Sequence, residues 1–213
     1  MWGELPLRCV LLAGTAVLGM TLTGCDKEVR SQASAFCSGL SDTAYFPLGA
    51  FSERPQSDRF VSEWYSKHLS AMGEPSLQCA SRYPVYRFLW LRSFHHPIAV
   101  RVEKREDDMH LFAVELDGAG GYEPGAESRR VDRVLYIREA KAFTEAIATA
   151  RVLNAPDKPE MRGFDGAKWV VEAREGERYQ IHNVWTPENG RIHELGSAFI
   201  ALTGWSIPKD ELY

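Results

Sequence analysis

The sequence predicts an α+β fold, an antiparallel sheet built from hairpins with helices packed on one side. Three observations carry this expectation. Two pairs of segments alternate apolar and polar residues about short charged turns, at residues 98–116 and 169–185. Three other segments, near residues 58–72, 139–153 and 191–202, repeat apolar residues at helical spacing. Their order along the chain is helix, strands, helix, hairpin, helix, which suits one sheet carrying helices.

Taken in order, residues 36–55 mix aromatic residues with Gly, Pro and Ser, and read as irregular structure packed by Tyr45, Phe46 and Phe51. Ser57 is placed to cap a helix over 58–72. Phe60, Val61, Trp64, Tyr65, His68, Leu69 and Met72 form its apolar stripe, and Gly73-Glu74-Pro75 stops it. His68 on that stripe reads as a core or boundary histidine. The segment "YRFLWLRSF" (86–94) reads as a buried strand.

Each hairpin has an expected register, because a one-residue slip turns every side chain to the other face. Pairing Val102 with Phe112, Val100 with Val114 and Ile98 with Leu116 gathers all six on one face, with Glu106-Asp107-Asp108 as the loop. In the second hairpin, Ala173 is expected opposite Tyr179 and Val171 opposite Ile181, across Glu175-Gly176-Glu177. That register places Glu172 and His182 together on the other face. Residues 117–130 read as a loop, 131–137 as a short strand, and 139–153 as a helix with Ala140, Phe143, Ile147 and Ala150 inward. A last helix over 191–202 turns Ile192, Leu195, Phe199 and Leu202 inward and stops at Gly204.

The chain has 213 residues, of which 45% are hydrophobic and 25% charged, as in an ordinary globular protein. Six Trp and ten Phe argue against a largely disordered chain. A net charge of −4 provides no basic field for nucleic acid.

Cys9 to Leu22 contains no charged side chain, is short for a membrane span, and suits the apolar region of an export signal. It ends in Leu22-Thr23-Gly24-Cys25, which resembles the lipobox of bacterial lipoproteins. The resemblance implies a diacylglyceryl group on the sulfur of Cys25, cleavage just before Cys25, and often acylation of the new amino group. Two or three acyl chains hold a bilayer far better than one, since each buried CH₂ contributes about 0.8 kcal/mol. Residues 1–24 are then signal peptide, 25–35 a lipidated tether, 36–205 a single domain and 206–213 a C-terminal tail. In such lipoproteins of enteric bacteria, an Asp after the lipidated Cys, here Asp26, favours the inner membrane. The expected address is the periplasmic side of the inner or the outer membrane.

Of the four cysteines, Cys9 leaves with the signal and Cys25 carries lipid. Cys37 and Cys79 remain in an oxidising compartment, and a disulfide between them is expected. Closing a loop of about 40 residues contributes about 4 kcal/mol by the chain-entropy model.

The stretches "YRFLWLRSFHHPIAVRV", "LDGAGGYEPG", "GFDGAKWVVEA" and "YQIHNVWTP…GRIHELG" resemble an uncharacterised family of proteins common among proteobacteria. The resemblance runs from Tyr83 over roughly 120 residues and implies one folded unit there, without implying an activity.

The sequence carries no complete catalytic motif. His193-Glu194 lacks the second His one turn later that a zinc-protease helix needs, since position 197 is Ser. "DGAGGYEPG" lacks the Lys-Ser/Thr of a phosphate-binding loop. No catalytic residue, metal ligand or cofactor is therefore assigned. The expectation is a lipid-anchored, non-enzymatic module that contacts the bilayer through Cys25 and binds an envelope partner, with Tyr122 as a loop anchor. The alternative is an envelope hydrolase with a site near His182 and Glu172, where a carboxylate could orient an imidazole, or near His95.

Overall fold

The structure, a computed structural model, describes residues 45–79, 81–156 and 165–213. Among these, three α-helices accompany one six-stranded antiparallel sheet, so the fold is α+β. Helix α1 spans Pro55–Ala71 and leads into β1 (Ser81–Arg92), β2 (Ile98–Arg105), β3 (Asp108–Leu116) and β4 (Glu127–Val134). Helix α2 (Ile137–Ala150) connects to the hairpin β5 (Ala167–Gly176) and β6 (Arg178–Trp185), and α3 spans Arg191–Thr203. The strand order is β4-β3-β2-β1-β5-β6, a four-strand meander with the second hairpin laid against β1.

Both faces of the sheet are covered. On one, Phe88, Trp90, Val100, Leu111 and Trp169 pack against Phe143 of α2 and Leu195 and Phe199 of α3. On the other, Leu89, Leu91, Val114, Leu116 and Val170 pack against Tyr65, Leu69 and Met72 of α1 and against Tyr45, Phe46 and Phe51. The expectation of helices on one side holds for α2 and α3, while α1 covers the opposite face.

The two-sided burial explains why both hairpin registers differ from expectation by one residue. Observed pairs are Val102 with Leu111, Val100 with Ala113 and Ile98 with Glu115. In the second hairpin, Arg174 faces Tyr179, Glu172 faces Ile181 and Val171 faces His182. Strand β3 is apolar on both sides, so its alternation does not single out one register. Two-residue turns then decide: Glu106 (φ 52°) and Gly176 (φ 57°) both take the left-handed conformation that tight hairpins use. Glu172 and His182 consequently lie on opposite faces of the sheet.

Other boundaries shift for local reasons. Helix α1 starts at Pro55, whose fixed φ suits the first helical position, and not after Ser57. Asp58 inside that first turn is buried and accepts N–H bonds from Gly49 and Phe51, both at 2.8 Å. Strand β4 occupies 127–134, earlier than expected, because the 136–137 step belongs to the start of α2, where the Tyr136 N–H donates to Glu139 Oε2 at 2.9 Å. The expected tail is bound to the domain. The indole N–H groups of Trp90 and Trp169 both donate to the main-chain oxygen of Tyr213, each at 3.0 Å. Arg92 Nη1 meets Glu211 at 2.7 Å.

At one end the α1 side of the sheet is charged. Arg87 and Glu172 are fully buried partners, with Nη2 2.5 Å from Oε2. Burial opposes the Arg87 charge, but Glu172 and Glu74 more than offset it and the pKa is raised. Glu74 meets Arg101 at 2.9 Å, Arg87 Nη1 donates to the Pro75 carbonyl at 2.6 Å, and Arg174 Nε donates to the Leu77 carbonyl at 2.9 Å. Residues 74–78 are thus clamped over the sheet by three arginines, Arg87, Arg101 and Arg174. Replacing Glu172 by Ala strands the Arg87 charge, and urea denaturation should show a loss of about 3–5 kcal/mol. A double change, Arg87→Met with Glu172→Met, should recover part of that loss, because no unpaired buried charge remains.

Candidate functional site: an aromatic cleft beside the glycine-rich loop

The loop "DGAGGYEPG" (117–125) joins β3 to β4. It closes on itself: the N–H groups of Gly118 and Ala119 donate to the carbonyls of Pro124 and Glu123, both at 3.0 Å. Asp117 Oδ1 accepts from the Ala126 N–H at 2.7 Å. The loop is also fastened to the β1–β2 turn, where Gly120 N–H meets the His95 carbonyl at 3.0 Å and Gly121 N–H meets the Ser93 carbonyl at 3.2 Å. This close approach requires glycine, since a Cβ at position 120 would stand 2.6 Å from the Arg92 nitrogen.

Helix α1 holds the other side of the loop. Trp64 Nε1 donates to the Gly120 carbonyl at 2.8 Å, and Lys67 Nζ meets Glu123 Oε1 at 2.9 Å. Between them opens a cleft of about 570 Å³ lined by Phe60, Glu63, Trp64, Lys67, Gly121, Tyr122 and Glu123. That volume lies within the range of about 300–1,000 Å³ common for ligand sites. Phe60 and Tyr122 are 68% and 61% exposed, and Phe94, 59% exposed, extends the aromatic surface with its ring 6.3 Å from that of Tyr122. Phe60 was expected in the buried stripe of α1. It instead falls on a second line along the helix, with Trp64 and Lys67 at the i+4 and i+7 positions, facing the loop.

His68, one turn beyond Trp64, is buried beneath this contact, as expected of a core histidine. Its Nδ1 lies 3.0 Å from the Trp64 carbonyl, and the main chain of Ala119 in the loop is its second polar neighbour. Burial lowers its pKa below the ordinary value, and the neutral ring is the buried form.

The remaining sequence candidates are dispersed. Tyr122 is in the cleft. His95 stands behind the loop with Nδ1 2.7 Å from the Tyr213 hydroxyl. Glu172 is held by Arg87 and by the Tyr179 hydroxyl, which donates to Oε1 at 2.6 Å. Burial, then the adjacent Glu172 carboxylate, push that phenol well above its ordinary pKa, so it remains a donor. His182 Nε2 is 2.8 Å from the Val152 carbonyl on the far side of the sheet. The structure therefore does not assemble Glu172 and His182 into one site. His193 stacks on Trp169, with centroids 5.5 Å apart. Among the described residues no three His, Cys, Asp or Glu side chains converge as metal ligands. Cys25 and Cys37 lie outside the described residues, and Cys79 follows the clamped 74–78 segment.

No protein-family model matches the chain, and a search of curated proteins returns no match.

Two outcomes follow from this geometry. Gly120→Ala should force the loop from the β1–β2 turn, costing about 1–3 kcal/mol and speeding solvent exchange of the Trp64 indole proton, observed by NMR. The His68 pKa is lower in the folded chain, so its contribution to stability is complete above about pH 6.5 and is lost as pH falls through the folded value. Between pH 7 and pH 5, urea midpoints should drop more steeply for the wild type than for His68→Leu.

Proposed function

We propose that the chain is a lipid-anchored cell-envelope protein whose domain binds another envelope macromolecule through the cleft at Tyr122. Acylated Cys25 holds it to the periplasmic side of the membrane, the inner membrane being favoured by Asp26. The Cys37–Cys79 disulfide ties the beginning of the domain to the segment clamped by Arg87 and Arg174.

The observation that supports this most is the combination of exposure and rigidity at the cleft. Large aromatic side chains left in water cost hydrophobic free energy, and contiguous exposure of them marks interaction surfaces. Here Phe60, Tyr122 and Phe94 are exposed on a frame fixed by the Trp64–Gly120 hydrogen bond and the loop's own bonds. A pre-ordered aromatic surface loses little side-chain freedom on binding. The histidines and carboxylates that a hydrolase would draw on are engaged in holding the fold: Glu172 by Arg87, His182 by Val152 and His95 by Tyr213.

Two measurements in cells test the reading. Cys25→Ala should abolish labelling by an alkynyl fatty acid and move the protein from the membrane to the soluble fraction. A photo-crosslinking residue at Tyr122 should give a discrete adduct with one envelope component, and the same residue at Glu145, on the exposed side of α2, should not. Unchanged fractionation of the Cys25 variant would remove the anchor, and equal adducts at both positions would remove the site.

A further inference from the structure

The cleft has a charge pattern that selects among ligands. Its lining carries two carboxylates, Glu63 and Glu123, against one ammonium, Lys67. Its walls are the rings of Phe60, Trp64 and Tyr122, whose faces carry negative quadrupole density. The indole N–H of Trp64 is already spent on the Gly120 carbonyl, so the ring offers a ligand its face and not its donor. Elsewhere the fold repeatedly places cations on rings: Arg101 lies 4.2 Å over Phe112, Arg129 lies 4.4 Å over Trp205 and Lys168 lies 4.4 Å over Trp185.

Lys67 is the chain's own cation at this place. Its ammonium lies 2.9 Å from Glu123, with the two side chains 41% and 83% exposed. An ion pair so open to solvent contributes only about 0–1 kcal/mol and exchanges readily for another cation. Glu63 lines the same cleft and forms no ion pair among the described residues.

We propose that the cleft accepts a basic side chain, arginine or lysine, presented by a protein partner. The incoming cation stacks on the aromatic walls, pairs with Glu123 and Glu63, and displaces Lys67. Arginine fits best, since its planar guanidinium can lie on a ring while its edge donates to a carboxylate. An acidic partner meets two like charges, and a neutral glycan gains nothing from the displacement of Lys67. This inference rests on the cleft being the docking site and adds the chemistry of what docks.

The test uses the mature lipidated chain in neutral detergent micelles and a capped Gly-Arg-Arg-Gly peptide, followed by the NMR signal of the Trp64 indole proton. Saturable shifts should appear and weaken as salt rises. Glu123→Gln and Glu63→Gln should each reduce affinity about tenfold. Lys67→Met should do the reverse, raising affinity about threefold, because it removes the competing cation. The indole shift of each free variant reports whether the loop contact is intact, and Lys67→Gln serves if Met disturbs it. Absence of binding, binding that ignores these three substitutions, or preference for a capped Gly-Glu-Glu-Gly peptide or a neutral oligosaccharide would each overturn the proposal. Failure of the peptide alongside a discrete Tyr122 adduct defeats only the basic-side-chain inference. Charge-dependent peptide binding without any adduct defeats the envelope-partner reading and leaves this one standing.

Discussion

The buried Arg87–Glu172 pair sets the arrangement of everything on its side of the sheet. A charge without water must be met on all sides, and Arg87 is met by Glu172, Glu74 and the Pro75 carbonyl. The last two belong to the segment that leaves α1. Satisfying the guanidinium therefore draws residues 74–78 down over the sheet, and Arg174 completes the closure at Leu77 and Gln78. The exit of α1 is thereby fixed, and with it the line along which the helix crosses Leu89, Leu91, Val114 and Leu116. That line brings Trp64 and Lys67 against the glycine-rich loop. The cleft is a consequence of a charge pair buried at the other end of the same face.

The loop is anchored from its second side by a different device. It hangs from the β1–β2 turn through Ser93 and His95, and the His95 ring meets the Tyr213 hydroxyl. Tyr213 is itself seated by two indole N–H groups from the opposite core. Loop, turn and C-terminal segment thus form one connected body spanning both sides of the sheet. Few torsions remain free at Tyr122 other than its own, and this is what makes the aromatic surface pre-ordered.

Much of the fold was legible from periodicity. The α2 and α3 stripes through Phe143 and Phe199, the stop at Gly204 and both hairpins follow from residue spacing. Register does not follow, because alternation singles out one pairing only where one face of the sheet is wet. Val114 and Leu116 point away from Val100 and Val102 because α1 and the 45–51 segment form a second core. Nothing local in β3 signals that, and the two-residue turns at Glu106 and Gly176 were the better guide. The site was legible only in part. Tyr122 could be singled out as an aromatic residue among glycines. Phe60 and Trp64 could not be separated from the buried stripe, since α1 carries apolar residues over about half its circumference. Glu172 and His182 were grouped by a register one residue out, and the correct register turns each into a structural partner.

The proposed docking site lies where α1 meets the glycine-rich loop. Hydrogen–deuterium exchange on the protein in cell-envelope membranes, compared with the same protein purified into micelles, tests this placement. Occupation of that site slows exchange in residues 58–68 and 117–126 together and leaves the exposed Tyr136–Ile137 junction at the start of α2 unchanged. Protection confined to that junction, or uniform exchange in both states, would contradict it.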